Sequence, residues 1–138
     1  MRVREFQMSD FESVTSLWRN RRLPLGPLET RDALETMLGH DSNLFLVAEE
    51  NNVVLAAVVG TWDGRRGYVC NLAVDPLFER MGIGTQLLRE VERRLGARGA
   101  RELALHVPRE NVIAQEFFRE QGFAPVPDQL LMVKRVRP

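Results

Sequence analysis

Residues Leu72-Ala-Val-Asp-Pro-Leu-Phe-Glu-Arg-Met-Gly-Ile-Gly-Thr85 join a strand pattern to a helix pattern, and this junction is the most informative part of the chain. Residues 68–74 are typical of a strand. Pro76 ends it, because proline has no N–H to give to a sheet. Gly82 and Gly84 then mark the start of a helix. The chain therefore passes from a strand into a helix through a short, glycine-rich turn.

The glycine pair gives this turn a chemical property. The first peptide N–H groups of a helix have no intrahelical partner and carry partial positive charge, so such an end can hold a phosphate. Arg80 stands beside it and can add a charge-assisted contact. On these residues alone a plain tight turn stays the alternative. The G-x-G-x-x-G fingerprint fails because Leu87 stands at the third glycine position, and no Gly-Lys-Ser/Thr pattern is present.

Upstream of this stretch the pattern predicts an antiparallel meander. Apolar runs at residues 44–48 and 53–59 are typical of buried strands, and Asn51 and Asn52 tolerate the positive φ of a tight turn between them. The Asp63-Gly64 pair is a second hairpin signal before residues 68–74. A short strand at residues 2–6 and two helices precede the meander, the second helix capped by Thr30.

Downstream the apolar spacing predicts a long helix from about Gly82, stopped by Gly99, and then a strand at residues 103–107. Strand, helix and strand form a crossover with parallel strands. A last helix at residues 111–121 and a strand at residues 130–136 close the chain. We therefore expect a single domain over residues 1–138, of α/β (α+β) type, with a mixed central sheet of six to seven strands and helices on both faces.

Composition excludes several classes of protein. Lys and Arg total 19 and Asp and Glu total 19, so the balanced charge argues against nucleic acid as a partner. Cys70 is the single cysteine, and with His40 and His106 it makes no metal-binding pattern. No apolar run approaches the ~20 residues that span a bilayer, and no signal sequence is evident. We expect a soluble, cytoplasmic protein with no metal and no membrane partner.

Two motifs resemble a known family, the GNAT superfamily of acetyl-CoA-dependent N-acetyltransferases. The first comprises Val74-x-Pro76, Arg80-Met-Gly-Ile-Gly84 and Leu87-Leu88 and is similar to the acetyl-CoA signature of that family. The second comprises Asn111, Ala114, Phe117-Phe118 and Gly122-Phe123 and is similar to the family pattern N-x-x-A-x-x-F-Y-x-x-x-G-F. The order of elements agrees over nearly the whole chain. The hairpin at residues 63–67 resembles an uncharacterised bacterial branch.

The resemblance implies acetyl-CoA as cofactor, with strands 4 and 5 splayed to admit it. The pyrophosphate is expected on the turn formed by Arg80, Met81, Gly82, Ile83, Gly84 and Thr85. The pantetheine arm is expected to pair with Leu72, Ala73 and Val74, where a bulge frees backbone groups. Asn111 is expected either to contact the pantetheine or only to cap the last helix, and Phe118 is expected to flank the cofactor.

The implied reaction moves the acetyl group to a primary amine of a small molecule or of a protein N-terminus. The amine attacks directly and forms a tetrahedral intermediate, whose oxyanion the N–H near Val74 stabilises. The amine must lose a proton first. The candidates for this step are Tyr68 and Asn71, the latter as a water-positioner, and Glu49 or Glu50. Loop positions give Arg21, Arg22 and Trp62 as candidate acceptor contacts.

Two positions depart from the family. Glu79 places a carboxylate beside the expected pyrophosphate where the family usually has Gln or Arg. Phe118 replaces a tyrosine that in many members protonates the leaving thiolate. The alternative function is therefore a catalytically weak acyl-CoA-binding or sensor module of the same fold. A nucleic-acid-binding domain, suggested by the arginines of residues 19–22, is a further rival. A homodimer is left open, and Cys70 is expected to be a small core residue rather than a nucleophile.

Overall fold

A computed structural model describes residues 1–136, which form two compact units divided after His106. In the first unit the elements follow the chain in the order β1 (Arg2–Glu5), α1 (Phe11–Asn20), α2 (Arg31–His40), β2 (Phe45–Glu50), β3 (Val53–Trp62), β4 (Gly67–Val74), α3 (Ile83–Arg98) and β5 (Leu103–Ala104). Short 3-10 helices at Met8–Asp10 and Pro76–Phe78 precede α1 and α3.

The sheet has the order β1-β2-β3-β4-β5, with β1 to β4 antiparallel and β5 parallel to β4. The predicted meander and the predicted parallel crossover are therefore confirmed. Asn51 and Asn52 turn the chain between β2 and β3 with φ of 52° and 64°. Both residues lie in the left-handed region, which matches the twist of a hairpin.

Helices cover both faces of the sheet, as expected. On one face, α1 and α2 pack against alternate residues of the strands. The apolar core between them includes Trp18 of α1, Leu34 of α2, Phe45 of β2 and Val59 of β3. On the other face α3 packs against β2, β3 and β4 through Leu87, Leu88, Val91 and Leu95, which are fully buried. The α3 packing fixes the start of this helix against the sheet.

Gly60 of β3 lets α3 approach the sheet closely. A Cβ at this position would lie 2.6 Å from Val91 Cγ2 and 3.3 Å from the Leu44 carbonyl oxygen. We expect Gly60→Ala to lower the free energy of unfolding by about 1 to 3 kcal/mol, because the overpacked helix must shift. Urea unfolding measures this. Gly96→Ala is the control on α3 itself, where the Cβ meets nothing within 4 Å. It should stabilise by about 0.5 to 1 kcal/mol, and equal losses in both variants would contradict the argument.

Within the first unit the predicted β5 is too long. The strand stops at Ala104 rather than at residue 107, and His106 is exposed. Pro108 follows shortly and has no N–H to offer a neighbouring strand. Consequently β5 pairs only with Gly67 and Tyr68 of β4, and the predicted splay of the two strands is observed.

The second unit, from Val107, contains α4 (Val112–Glu120) with Asn111 as its N-cap. The strand predicted at residues 130–136 is wrong: that segment has no regular structure, and its apolar side chains are exposed. A strand needs a ladder partner for its backbone groups, and no described strand pairs with this segment. The sheet of residues 1–136 accordingly has five strands rather than six or seven. The expectation of a single domain stays a prediction.

Two negative observations apply to residues 1–136. In this range no helix has the length and apolar character needed to cross a bilayer. The same residues hold no group of three or more His, Cys, Asp or Glu side chains arranged to bind a metal ion.

Candidate functional site

A β-bulge in β4 marks the centre of the candidate site. Ala73 pairs with Ala57 and Cys70 pairs with Val59 of β3, so Asn71 and Leu72 together face one residue of the partner strand. Asn71 adopts φ 55°, a left-handed conformation that asparagine tolerates better than other residues with a Cβ atom. The extra residue bends β4 and raises its local twist just before it reaches the turn.

The indole of Trp18 fixes this bulge. Trp18 is fully buried in α1, and its Nε1 donates a hydrogen bond of 3.0 Å to the Asn71 carbonyl oxygen. The Asn71 carbonyl oxygen, which the bulge removes from the regular ladder, therefore accepts its hydrogen bond from a side chain instead of from a strand. In the sequence, Trp18 stands at helical spacing from Val14, and no sequence signal predicts its contact with β4.

Beyond the bulge, the side of β4 that faces away from β3 has no partner strand among residues 1–106, and we call it the free edge. The Asp75 N–H donates to the Leu55 carbonyl oxygen of β3 at 2.8 Å. Successive residues of a strand point their backbone groups to opposite sides, so the N–H and C=O of Val74 point away from β3. On that side β5 pairs only with Gly67 and Tyr68. The backbone of Val74 is therefore available to an extended ligand that adds to the sheet edge.

The turn after Val74 is built by local hydrogen bonds and left-handed residues. The Asp75 side chain accepts from Leu77 N at 2.9 Å and caps the 3-10 helix Pro76–Phe78. Arg80 and Gly82 then adopt φ of 63° and 79°, which reverses the chain into α3. Because only glycine adopts such a φ without strain, Gly82 suits this position better than any residue with a Cβ.

The N-terminus of α3 carries no side-chain cap. A Cβ built on Gly82 would meet no atom within 4 Å, so the space above the first turn of α3 is open. A groove of about 730 Å³ extends from Gly82 along α3 towards Val3 of β1, and its charged lining consists of Arg89, Glu90 and Arg93. Arg93 pairs with Glu90 at 2.6 Å, so these two charges compensate each other. Uncapped amides that face an open space can receive an anionic group.

The two charged residues of the turn differ in their partners. Arg80 is exposed and makes no ion pair with another residue in the described range. Glu79 forms an ion pair with Arg21 at the end of α1. The carboxylate that departs from the family pattern is thus neutralised by a cation from another element. No sequence pattern predicts this pair, because Arg21 and Glu79 are far apart in the chain.

The structure separates Tyr68 and Trp62 from this site. Tyr68 pairs with Ala104 at the other end of β4, roughly 17 to 20 Å from Val74 at ~3.3 Å per residue, depending on how far the bulge shortens the strand. The proposal of Tyr68 as a group acting at the same acyl carbon as Val74 therefore finds no support in the geometry. Trp62 ends β3 rather than lying in a loop, and its ring approaches Gly99 at the far end of α3. Asn71 lies in the bulge, three residues before Val74.

The carboxylates of β2 are engaged elsewhere. Glu49 forms ion pairs with Arg2 at 2.6 Å and Arg4 at 3.0 Å, and the hydrogen bond from Arg4 holds the pKa of Glu49 below its usual value. Glu50 pairs with the N-terminal amine at 3.3 Å. A carboxylate with a lowered pKa is a weaker base, so Glu49 is poorly suited to deprotonate an amine.

Cys70 is not the core residue that the pattern predicts, because it keeps part of its surface in solvent. Surrounding protein atoms nevertheless raise the pKa of its thiol to about 11, with a smaller contribution from the negative charge of Glu29. The thiol is therefore protonated near neutral pH. Since the thiolate is the nucleophilic form of cysteine, Cys70 is unsuited to accept an acyl group.

The second unit holds the other predicted cofactor contacts. Asn111 Oδ1 accepts a hydrogen bond of 3.1 Å from Ala114 N, so the capping role is observed. The Phe118 ring packs edge-on against Phe117 and Phe123, with ring centroids 5.2 Å and 5.7 Å apart. Contact of either residue with a cofactor stays a prediction.

A bulged strand with a free edge, followed by an uncapped helix start, is the arrangement that the resemblance predicts for an acetyl-CoA-dependent acyltransferase. Comparison with known proteins agrees. Residues 4–123 match the model of the acetyltransferase (GNAT) family. A protein of Photorhabdus laumondii named as an acetyltransferase is 38% identical over 111 residues, which cover 80% of this chain and 78% of that protein.

Two solved structures share the fold. Ard1 from Thermoplasma volcanium superposes with a TM-score of 0.81 at 23% identity, covering 89% of this chain and 82% of that one. A predicted acetyltransferase from Clostridium acetobutylicum, solved with acetyl-CoA, gives a TM-score of 0.76 at 18% identity, with 96% and 95% covered. The chain belongs to the acetyltransferase (GNAT) family. The predicted family and enzyme class are thereby confirmed.

Proposed function

We propose that this acetyltransferase moves the acetyl group of acetyl-CoA to a primary amine of a small molecule or of a protein N-terminus. The observation that carries the proposal is the free edge of β4 at Val74, directly before the uncapped start of α3. A strand edge binds an amide-bearing chain, and a helix start binds a diphosphate. Coenzyme A carries both groups in that order along its length.

The residues present fit this donor. Gly82 leaves open space above the amides of the turn, and Arg80 has no protein partner in the described range to compete with a phosphate. The amides of residues 81–85 would hold the pyrophosphate, and the backbone of residues 72–74 would hold the pantetheine. Asn111 and Phe118 are proposed as further contacts to the pantetheine arm.

The backbone of Val74 supplies the main catalytic contribution in this proposal. Its N–H points away from β3 and would donate to the thioester oxygen as negative charge develops there during direct attack by the amine. A C–N bond forms, the C–S bond breaks after a tetrahedral intermediate, and the sulfur leaves as thiolate. The protonated thiol of Cys70 argues against a route through an acetylated cysteine.

Two protons must move during the reaction. The amine loses one, and Asn71 in the bulge is proposed to position the water that accepts it. The thiolate gains one from water, because Phe118 has no proton to give. A thiol has a pKa of about 8.5, so its thiolate is an acceptable leaving group without an acid. Losing general acid help slows this step by roughly 10² to 10⁴ without preventing it.

Acetyl-CoA binding tests the first half of the proposal. At a concentration of about 100 Kd the donor should stabilise the chain by about 2.7 kcal/mol and raise Tm by roughly 9 °C. NADH and ATP at the same concentration should raise it far less, because neither offers a pantetheine arm to β4. Differential scanning fluorimetry measures the shifts. No shift with saturating acetyl-CoA would overturn the proposal.

Transfer to amines tests the second half. A panel of small-molecule amines and peptides with free N-termini should release coenzyme A thiol with at least one acceptor, monitored with a thiol-reactive dye. Phe118 favours a second candidate function, a weakly active acyl-CoA-binding or sensor module. Donor binding without thiol release from any acceptor would favour that module over the enzyme. Cytoplasmic location, the absence of nucleic-acid and membrane partners, and a homodimer stay predictions.

A further inference from the structure

An ion pair joins the end of α1 to the turn that precedes α3. Arg21 follows the last residue of α1, and Glu79 follows the 3-10 helix Pro76–Phe78. One Arg21 guanidinium nitrogen contacts Glu79 Oε1, and both side chains are 40% exposed. Exposed pairs of this kind contribute little to stability.

The backbone of Arg21 is held firmly beside the site. Its N–H donates to the carbonyl oxygens of Leu17 and Trp18 at 3.1 Å each. Trp18 in turn bonds the Asn71 carbonyl in the β4 bulge. The same end of α1 therefore contacts both the bulge, which lies next to the free strand edge, and the turn. Arg21 cannot move far without disturbing one of these contacts.

The pair changes the charge that the turn presents to an anion. Glu79 precedes Gly82 by three residues, so their Cα atoms are at most about 11 Å apart. That separation is comparable with the ~8 to 10 Å screening length at ordinary salt, so an unpaired carboxylate would repel a bound diphosphate. Glu79 occupies one nitrogen of Arg21, and the guanidinium has five N–H donors in all.

We infer that Arg21 is a second cationic residue for the diphosphate of the donor, beside Arg80, and that Glu79 is the positioning residue that holds it there. This inference rests on the proposed function, since it assumes that the diphosphate lies on the turn. Glu79 favours binding through Arg21, although its own charge opposes binding. The acidic residue that departs from the family pattern is thus compensated from another helix.

Four variants test the inference by titration calorimetry with acetyl-CoA. Arg21→Ala should weaken binding by about threefold to tenfold and reduce its dependence on salt, because one charge-assisted contact is lost. Glu79→Gln should weaken binding by about twofold to fivefold, because Arg21 is no longer held. Arg19→Ala removes a nearby positive charge of α1 and should change affinity less than twofold.

The double variant gives the sharpest result, because the effect of Glu79→Gln should reverse in sign. In the Arg21→Ala background the carboxylate is unpaired and repulsive, so Glu79→Gln should tighten binding relative to Arg21→Ala alone. Tighter or unchanged binding for Glu79→Gln in the wild-type background would overturn the inference. The same holds for unchanged binding in Arg21→Ala.

A donor that lacks the diphosphate separates this inference from the proposed function. With S-acetyl-pantetheine, Arg21→Ala should raise KM by a smaller factor than it does with acetyl-CoA, because the diphosphate contact is absent. With acetyl-CoA it should raise KM while kcat stays within twofold. A loss of kcat with both donors would show a general structural effect and contradict the inference. If wild type binds no acetyl-CoA, the proposed function and the inference both fail. If wild type binds and the variants match it, only the inference fails.

Discussion

Gly84→Glu is expected to weaken acetyl-CoA binding by roughly 100-fold or more while the chain stays folded. Gly84 lies in the first turn of α3, whose N-terminus has no side-chain cap. A glutamate there would fill the space in front of the amides and place a negative charge against the diphosphate. Like charges brought together in an interface cost several kcal/mol, and 1.4 kcal/mol corresponds to about tenfold in affinity.

Gly84→Glu should change the affinity for acetyl-CoA without lowering the stability of the fold. A carboxylate in the first turn of a helix interacts favourably with the helix dipole, by about 0.3 to 1 kcal/mol. Tm without ligand should therefore be retained. Gly96→Glu is the matched control, because Gly96 is an exposed residue of the same helix, near its other end. Calorimetry should find near-normal affinity in the control. Unchanged affinity in Gly84→Glu would remove the turn from the site.

Replacing the Val74 amide by an ester is expected to lower kcat by about 100-fold to 1000-fold. The ester exchanges one N–H for oxygen and keeps the side chain, so it removes the proposed oxyanion donor and also makes the Ala73 carbonyl oxygen a weaker acceptor. Loss of one such donor costs about that factor in other acyl-transfer enzymes. The N–H of Val74 points away from β3, so the sheet loses no ladder bond and Tm should change little.

An ester at an exposed position is the control for this variant. The same exchange at Val126 uses the same hydroxy acid at an exposed residue and should leave kcat unaltered. Single-turnover transfer with saturating acetyl-CoA and an acceptor from the amine panel reports the chemical step. KM for acetyl-CoA should rise less than kcat falls. If kcat falls by less than tenfold, another group stabilises the oxyanion.

The positions of most elements could be predicted from the sequence, because local residues set their limits. Gly82 and Gly99 bound α3 in left-handed conformations, Thr30 caps α2, and Asn111 caps α4. Each signal acts within one turn of the chain, so neighbouring residues contain the whole cause. The prediction of a strand at residues 130–136 was wrong for the opposite reason. The apolar pattern there is typical of a strand, but a strand also needs a partner from elsewhere in the chain.

The features of the candidate site also fall into those set by local residues and those set by packing. The uncapped, glycine-rich start of α3 could be predicted from local residues, because the amides that it exposes are a property of consecutive residues. The contacts that hold the bulge and balance the charge of the turn depend on long-range packing. The Trp18 bond to Asn71 and the Arg21 pair with Glu79 join residues more than 50 positions apart, and only chain packing brings such residues together.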